Sequence, residues 1–190
     1  MMTNLIFRRF TVGSYGINGF LVADPETRIG VFIDPGGFST EIEAFIAERQ
    51  IVLNYLFFTH GHWDHTEGVP EFESRYAVQG YAGKGEVRAA KHQLQGGEML
   101  EIGHLRFEAL STPGHTPYGI SFYGSGCVFT GDSLFCGSVG GTSSTKATQC
   151  QITSIRKHIF TLPEETLVFP AHGPMTTVGV EKYSNPFCQK

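Results

Sequence analysis

The chain has 190 residues, of which 41% are hydrophobic and 17% are charged, and these values predict one globular domain over residues 1–190. The formal net charge is −4 and no run of basic residues occurs, which argues against nucleic acid as a partner. No segment approaches the ~20 consecutive apolar residues that cross a membrane, so we expect no membrane partner.

The N-terminal ten residues contain two adjacent arginines without a long apolar core after them, so we expect no secretory signal there. The four cysteines are widely spaced and form no C-x-x-C pair, which predicts free thiols (Cys127, Cys136, Cys150 and Cys188). Free thiols are typical of a reducing compartment, and we therefore expect a cytoplasmic protein. Sixteen Phe against one Trp predict a core rich in phenylalanine.

The first quarter of the chain predicts β-structure followed by a helix. Residues 7–22 alternate loosely between apolar and polar and predict an opening strand or a hairpin, and Ile29–Ile33 predicts the next strand, closed by a D-P-G-G turn. Thr40 followed by Glu43 forms a capping box, and the apolar stripe after it predicts a helix over residues 40–49.

The second quarter begins with a run over residues 51–58 that is short, β-branched and aromatic, which predicts a buried strand. A short helix over Val69–Arg75 and a short strand over residues 76–78 follow. Between residues 80 and 97 the pattern is weak, and its polar residues predict a helix and a loop.

The second half predicts two hairpins, one over residues 99–110 and one over residues 120–130. Isoleucines at helical spacing predict the second long helix over residues 148–160, and Leu167–Pro170 predicts the last strand. Strands that alternate with only two long helices fit two sheets flanked by helices.

The stretch T-H-G-H-W-D-H, residues 59–65, carries three imidazoles and a carboxylate directly after a predicted strand. Alternate residues of an extended segment point the same way, so His60 and His62 can hold one ion. Asp64 and His65 follow where the chain turns, and we expect them to face a neighbouring position. The pattern therefore predicts half of a two-metal site.

Three further candidate ligands each follow a strand-like run and lie among Gly, Pro or Thr, the residues of tight loops. They are His115 in T-P-G-H-T, Asp132 in T-G-D-S and His172 in P-A-H-G-P. Four strand ends that carry His and Asp side chains are typical of a metal site built on loops over a rigid scaffold.

Together the motifs T-H-G-H-W-D-H, T-P-G-H-T, T-G-D-S-L-F and P-A-H-G-P resemble the metallo-β-lactamase superfamily and, within it, the glyoxalase II (hydroxyacylglutathione hydrolase) branch. The resemblance covers nearly the whole chain and implies a four-layer αββα sandwich of the α/β class, with the metals at one edge of its two sheets. It also implies two divalent ions, zinc first, with iron or manganese as alternatives. The implied ligands are His60, His62 and His115 at one site, Asp64, His65 and His172 at the other, and Asp132 between them.

Two divalent ions ~3.5–4 Å apart can share a water whose pKa falls toward neutrality, which makes a metal-bound hydroxide the nucleophile at pH 7. A substrate carbonyl oxygen on one ion is polarised, and the oxyanion that forms stays there. We expect Asp64 and Asp132 to be the catalytic carboxylates of this centre. No G-x-S-x-G motif offers a serine nucleophile, so the predicted reaction is hydrolysis of an activated acyl bond.

The resemblance to glyoxalase II, with Trp63 inside the motif, makes a small-molecule acyl thioester the first choice of substrate. Metallo-β-lactamases generally carry Cys where this chain has Asp132, which argues against a β-lactam. Lactonases and persulfide dioxygenases share the scaffold and stay open as alternatives, the dioxygenases with one iron held by the equivalents of His60, His115 and Asp132. A metal-loaded protein that serves only in binding is a further alternative.

The chain departs from the family pattern away from the implied ligands. Gly141 and Ser143 stand where Arg and Asp are customary, and Tyr183 stands where a C-terminal Arg is expected, which affects loop geometry and substrate preference. Typical glyoxalase II enzymes also carry a C-terminal helical domain that binds glutathione, and we expect none here.

Several other residues have more than one interpretation. Asp34 is either a turn residue before proline or a support for a ligand histidine. Trp63 by default packs beneath the metal loop. The histidines without a strand-end context are assigned to surface or turn positions, and three basic residues to a solvated helix face (His92, His104 and His158; Lys84, Arg88 and Lys91).

Overall fold

The computed structural model describes residues 5–189, which form two six-stranded β-sheets. The first sheet contains β1 (Ile6–Val12), β2 (Ile17–Ala23), β3 (Ile29–Ile33), β4 (Val52–Phe57), β5 (Gln79–Gly83) and β6 (His92–Leu94). These strands lie in sequence order; β1, β2 and β3 pair antiparallel, and β3 to β6 pair parallel.

The second sheet contains β7 (Met99–Ile102), β8 (Leu105–Ser111), β9 (Ile120–Gly124), β10 (Cys127–Gly131), β11 (Leu167–Pro170) and β12 (Thr176–Thr177). Its strands also lie in sequence order. All neighbours pair antiparallel except β10 and β11, which pair parallel. The chain between these two strands therefore crosses the outer face of the sheet.

The helices of the described residues are α1 (Thr40–Glu48), α2 (Trp63–Thr66), α3 (Val69–Arg75), α4 (Thr145–Ser154) and α5 (Val178–Ser184). Helix α4 continues into a π-helical turn over Ile155–Ile159. Within residues 5–189 no helix has the length and apolar character needed to span a membrane.

The sheets and helices form four layers. On β2, Phe20 and Val22 point into the core between the two sheets, whereas Leu21 and Ala23 point to the opposite face. Helices α1 and α3 cover that outer face of the first sheet, and the turn after α4 packs with α5 on the outer face of the second. Because both faces of each sheet are covered, β2 is buried along its whole length. The expected αββα sandwich is confirmed.

Phenylalanine dominates the core between the sheets, as predicted. Phe57 of the first sheet and Phe122 of the second stack with ring centroids 4.6 Å apart, and both are fully buried. Phe20 and Phe129 lie 5.1 Å apart in the same layer. Such aromatic pairs between sheets fix the distance between the two layers that carry the candidate site.

Two boundaries in the first half differ from the predictions. Ser39, not Thr40, caps α1, because its hydroxyl accepts a hydrogen bond from the Ile42 N–H (3.3 Å). Both residues are good caps, and the pattern alone does not rank them. The strand expected over residues 76–78 begins later, since Tyr76 ends α3 and pairing of β5 with β4 starts at Gln79.

Residues 80–97 contain no helix, so the helix predicted for this segment was wrong. The segment holds β6, a three-residue edge strand whose exposed positions give no apolar alternation. The helix expected over residues 148–160 begins earlier, at Thr145, where the Ser144 hydroxyl caps it, and it ends in the π-helical turn. Strand β12 and helix α5 were not predicted.

All four cysteines are free thiols, as predicted. Cys127 and Cys188 are buried, while Cys136 and Cys150 are exposed. Burial raises the pKa of Cys127 to about 12, so this thiol is unreactive.

Asp24 joins the two sheets at the edge opposite to the C-terminal end of β3. Its carboxylate is 2% exposed and accepts hydrogen bonds from the backbone N–H groups of Glu26 (2.9 Å) and His104 (2.6 Å) and from the Thr27 hydroxyl (2.8 Å). His104 belongs to the turn between β7 and β8, so one carboxylate links both sheets. Burial alone would raise the pKa of Asp24, but these hydrogen bonds lower it to about 2.

We expect Asp24→Asn to lower the free energy of unfolding by about 2 kcal/mol at pH 7, because hydrogen bonds to a charged acceptor are lost. The pKa is depressed in the folded state, so the wild-type advantage is complete above the ordinary value of 3.8 and disappears as the pH falls through about 2. Urea unfolding of both proteins across this range measures the difference. His104→Ala is the control, since it keeps the N–H and removes only the exposed imidazole 3.2 Å from the Asp24 carboxylate, so we expect a smaller loss; an equal loss in that variant contradicts the assignment.

Candidate metal centre

Four strand ends meet at one edge of the sandwich and carry the candidate ligands. In the first sheet β4 ends shortly before His60, and in the second sheet β8, β10 and β11 precede His115, Asp132 and His172. The candidate ligands thus lie at four strand ends, where the sequence placed them.

Backbone contacts hold the two sheets together at this edge. The Ile120 N–H donates to the Thr59 carbonyl, and the Asn18 N–H donates to the Ala171 carbonyl, both at 2.8 Å. Gly131 has a φ of +51°, and a Cβ there would lie 2.1 Å from the Thr59 hydroxyl. Only glycine therefore fits where the ends of β4 and β10 touch.

The chain remains extended after β4 and then turns into α2. His62 has β-region backbone angles (φ −64°, ψ 150°) and is the last residue before the helix, so His60 and His62 point the same way, as predicted. The first turn of α2 then directs Asp64 and His65 toward a second position. His65 is fully buried there.

Three imidazole nitrogens converge at the first position. His62 Nδ1 lies 2.9 Å from His60 Nε2 and 3.0 Å from His115 Nε2. The other nitrogens face oxygen atoms: His115 Nδ1 lies 2.6 Å from the Gly141 carbonyl, and His60 Nδ1 lies 3.2 Å from the Thr59 hydroxyl. Protons on these two Nδ1 atoms leave lone pairs on the converging Nε2 atoms. Lone pairs at such distances repel unless a cation lies among them.

Asp132 lies between this group and a second one. Its Oδ2 is 3.5 Å from His115 Nε2, while its Oδ1 is 3.4 Å from His65 Nε2 and 3.7 Å from His172 Nε2. Asp64 Oδ2 completes the second group, 3.6 Å from His172 Nε2 and 3.8 Å from His65 Nε2. The structure therefore brings all seven predicted side chains together.

The donor atoms fit divalent cations. His65 Nε2 and Asp132 Oδ1 are buried and have no hydrogen-bond partner, which costs ~1–3 kcal/mol for each such group. His60 lies with these two residues in a further group whose donor atoms are all within 4.8 Å of one another, so it borders both positions. Mixed imidazole and carboxylate sets suit zinc, iron and manganese. The site thus implies divalent metal ions.

Burial and neighbouring charges shift the pKa values here in opposite directions. Burial lowers the pKa of His60, and the charges of His65 and His115 lower it further. Burial also lowers the pKa of His65, but the carboxylates of Asp34 and Asp132 outweigh it and raise the value to about 10. Burial would raise the pKa of Asp132, but the adjacent His65 lowers it. Asp132 is therefore ionised at neutral pH.

Asp34 supports the ligand loop from beneath. Its carboxylate is 1% exposed and accepts hydrogen bonds from the Thr59 N–H and the Thr59 hydroxyl, both at 2.8 Å. Its Oδ2 also lies 3.1 Å from His65 Nδ1. A proton held on that nitrogen directs the lone pair of Nε2 toward Asp64 and Asp132. Of the two interpretations of Asp34, the geometry favours support of a ligand histidine.

Two contacts of the loop between β10 and α4 escaped sequence reasoning. The Gly141 carbonyl is the oxygen that His115 Nδ1 meets. Gln151 of α4 is fully buried and donates to the carbonyls of Gly140 (3.1 Å) and Ser133 (3.0 Å). One amide thus holds both the loop that orients His115 and the residue after Asp132. Backbone carbonyls have no residue signature, so no sequence pattern could have indicated them.

Glu86 is a third residue that sequence reasoning missed. Its carboxylate accepts from the Gly61 N–H (3.2 Å) and from the Tyr118 N–H (2.8 Å), so it ties the first ligand loop to the loop that carries His115. It lies in the segment with the weakest pattern, where a single exposed-looking Glu carries no signal.

Trp63 does not pack beneath the metal loop, contrary to the default interpretation. Its side chain is 57% exposed and meets Tyr15 edge to face, with centroids 6.1 Å apart. It is the first residue of α2, and the buried side of that short helix is occupied by His65. The three basic residues expected on a helix face lie instead outside any helix and are exposed (Lys84, Arg88 and Lys91).

Comparison with known proteins agrees with a metal centre at this site. The sequence profile of the metallo-beta-lactamase superfamily matches residues 13–172. A probable metallo-hydrolase of Bacillus subtilis, YqgX, is 34% identical over 95% of this chain and 96% of its own length. The chain belongs to the metallo-β-lactamase superfamily.

Members of this superfamily with different names are similar to the chain over nearly its whole length. Hydroxyacylglutathione hydrolase GloC of Haemophilus influenzae is 30% identical over 93% of this chain and 94% of its own. The solved structure of BLEG-1 B3 metallo-beta-lactamase superposes with a TM-score of 0.88 at 27% identity, covering 97% of this chain and all of that one. The chain therefore has the metallo-β-lactamase fold and is a metallo-hydrolase-type protein, and the fold does not select the substrate.

We expect His115→Ala and Asp132→Ala to lose bound metal, since each removes a donor from the centre and Asp132 faces both groups. Elemental analysis of protein purified without added metal measures this as ions per chain. His104→Ala and His158→Ala should keep the wild-type content, because neither lies in a candidate group. If His104→Ala loses as much metal as His115→Ala, the assignment of the centre is wrong.

Asp34→Asn tests the support of His65. We expect it to weaken metal binding about 10–100-fold, because the neutral amide no longer favours the proton on Nδ1. Competition with a chromophoric chelator measures the affinity. Asp24→Asn is the matched control, an equally buried aspartate at the opposite edge; weakening of similar size in that variant would attribute the effect to general destabilisation.

Proposed function

We propose that the chain is a binuclear metal-dependent hydrolase that cleaves small-molecule acyl thioesters. The observation that carries the proposal is the position of Asp132, whose two oxygens face two separate groups of histidines. A side chain so placed suits two ions rather than one. The proposed ligands are His60, His62 and His115, then Asp64, His65 and His172, with Asp132 shared.

Two divalent ions in these groups would supply a water of lowered pKa and an electrophile for the substrate carbonyl oxygen. The protein's own groups position this chemistry. Asp34 and the Gly141 carbonyl keep protons on the Nδ1 atoms of His65 and His115, so that the lone pairs of both Nε2 atoms face the centre. Asp64 has a side chain 22% exposed. We assign it the acceptance of the proton that the attacking water releases.

The open side of the centre gives the substrate access. His62 is exposed, and the side chain of His172 is 37% exposed, whereas His65 is fully buried. A thioester carbonyl can therefore approach from the side of His62 and His172. Its leaving thiolate needs little help from an acid, because ordinary thiols have pKa values of ~8.5.

Thioesters rank above other acyl bonds for two reasons. The motif T-H-G-H-W-D-H resembles the glyoxalase II branch, and GloC, similar over almost its full length, is named a hydroxyacylglutathione hydrolase. Both curated relatives described above span nearly the same length as this chain, which supports a single hydrolase domain over residues 1–190. The likeness to a B3 metallo-β-lactamase makes a β-lactam a necessary comparison substrate.

We expect protein purified without added metal to contain about two divalent ions per chain, with zinc first and iron or manganese as alternatives. It should hydrolyse acyl thioesters, lose that activity on chelation and regain it when metal is restored. Release of free thiol measures the reaction, with a lactone, a β-lactam and a persulfide as comparison substrates.

Several outcomes would overturn this proposal. One iron without a second ion, together with oxygen-dependent consumption of a persulfide, would replace the hydrolase with a dioxygenase. Faster turnover of a lactone or a β-lactam would replace the thioester. Bound metal without turnover of any of these substrates would indicate a protein that only binds.

A further inference from the structure

A groove leads away from the candidate metal centre along helix α4. It begins as a cavity of about 270 Å³ that His115 lines together with the loop around it and the first turn of α4. A second cavity of about 450 Å³ continues from it. The two share three lining residues, Pro113, Lys146 and Cys150, so they adjoin each other along the helix. We call the two cavities together the α4 groove.

One face of a helix forms the wall of the α4 groove. Its lining residues Lys146, Cys150, Thr153 and Lys157 are spaced by four, three and four positions, which is the repeat of a single helical stripe. The opposite side of the same segment is buried, with Ile155 fully enclosed. The stripe is thus free to contact a ligand that extends from the metal centre.

The charge of the α4 groove is opposite to that of the chain. Its lining contains Lys146 and Lys157 but no Asp or Glu, although the protein has a net charge of −4. His158 also lines it, but burial and the charge of Lys157 lower the pKa of this imidazole, so it is neutral at pH 7. Glu108 lies near His158 without lining the groove. A positive groove on a negative protein attracts anionic ligands.

We propose that the α4 groove binds the anionic thiol half of the thioester, with Lys146 as the first cation that this half meets. The inference rests on the proposed thioesterase function and extends it to the carrier. A thioester carbonyl held beside His115 places its sulfur substituent at the mouth of the groove, and the acyl half faces the open side of the centre. Lys146 is then a specificity-determining residue, since a carrier without negative charge gains nothing from it.

The two lysines differ in how far a carrier must extend to reach them. Lys146 and Lys157 are eleven residues apart, which corresponds to about 16 Å along the helix axis. A tripeptide such as glutathione spans ~10 Å when extended, at ~3.3–3.6 Å per residue, and reaches only Lys146. Coenzyme A, whose phosphates follow a long flexible arm, can reach both. Both carriers offer negative charge to a lysine, so the spacing of the two lysines is what distinguishes a long carrier from a short one.

The test compares one acyl group carried on glutathione, on coenzyme A and on an uncharged small thiol, using the metal-loaded protein. We expect Lys146→Ala to lower kcat/KM about fivefold for the charged carriers, mainly through KM, and to leave the uncharged thioester within twofold. Lys146→Arg should keep the wild-type values, because it preserves the charge. Lys91→Ala is the matched control, an exposed lysine before β6.

Lys157→Ala distinguishes the two carriers. If Lys157→Ala lowers kcat/KM only for the coenzyme A thioester, the carrier spans the whole α4 groove. If it lowers kcat/KM for neither carrier, the carrier is about as long as glutathione. Equal losses of Lys146→Ala on charged and uncharged thioesters, or no loss on any, would overturn the groove assignment.

Direct binding separates this inference from the proposed function. Calorimetry with S-methylglutathione and S-methyl coenzyme A measures the groove without hydrolysis and without a free thiol that could bind metal. If the wild-type protein hydrolyses no thioester, the proposed function fails, yet weaker binding of these probes by Lys146→Ala still supports the groove. If neither probe binds the wild-type protein, the groove assignment fails whatever the activity.

Discussion

The buried carboxylate of Asp34 is the contact on which the candidate centre depends. It comes directly after β3 and binds the backbone and the hydroxyl of Thr59 at the end of β4, so it fixes where the ligand loop begins. The same carboxylate lies against His65 Nδ1 and favours a proton there. A buried carboxylate is costly unless it is paired or hydrogen-bonded, and here it accepts two hydrogen bonds from Thr59 and lies 3.1 Å from His65 Nδ1. The Asp34 carboxylate thus fixes both the position of the ligand loop and the tautomer of His65.

The converging lone pairs of the candidate centre repel one another, so the fold must hold these groups together against that repulsion. His62 Nδ1 lies within 3.0 Å of both His60 Nε2 and His115 Nε2, and the buried atoms His65 Nε2 and Asp132 Oδ1 have no hydrogen-bond partner. The phenylalanine core and the contacts between strand ends hold these groups together. Cations held by these residues would relieve the repulsion, so metal binding would contribute to the stability of this edge. The opposite edge is held by Asp24 with ordinary hydrogen bonds and needs no metal.

Sequence reasoning located all seven candidate ligands and most strands because both are local signals. Apolar runs that end at His or Asp identify a strand and its ligand together. The failures have physical causes: β6 is a short exposed edge strand, Trp63 points outward because His65 occupies the buried side of α2, and Ser39 competes with Thr40 as a cap. Contacts such as the Gly141 carbonyl with His115 or the Gln151 amide with Gly140 join distant segments, and no local pattern encodes them.

Chemistry and specificity reside in different parts of this chain. The candidate ligands lie at strand ends held by both sheets, whereas the departures at Gly141 and Ser143 lie in the loop that leads into α4. Gly141 acts through its carbonyl, which any residue supplies, so the orientation of His115 does not need the customary Arg. Ser143 lines the mouth of the α4 groove, where a customary Asp would add negative charge beside Lys146. Serine adds no negative charge there, so under the proposed function this loop would alter the choice of carrier without changing any candidate ligand.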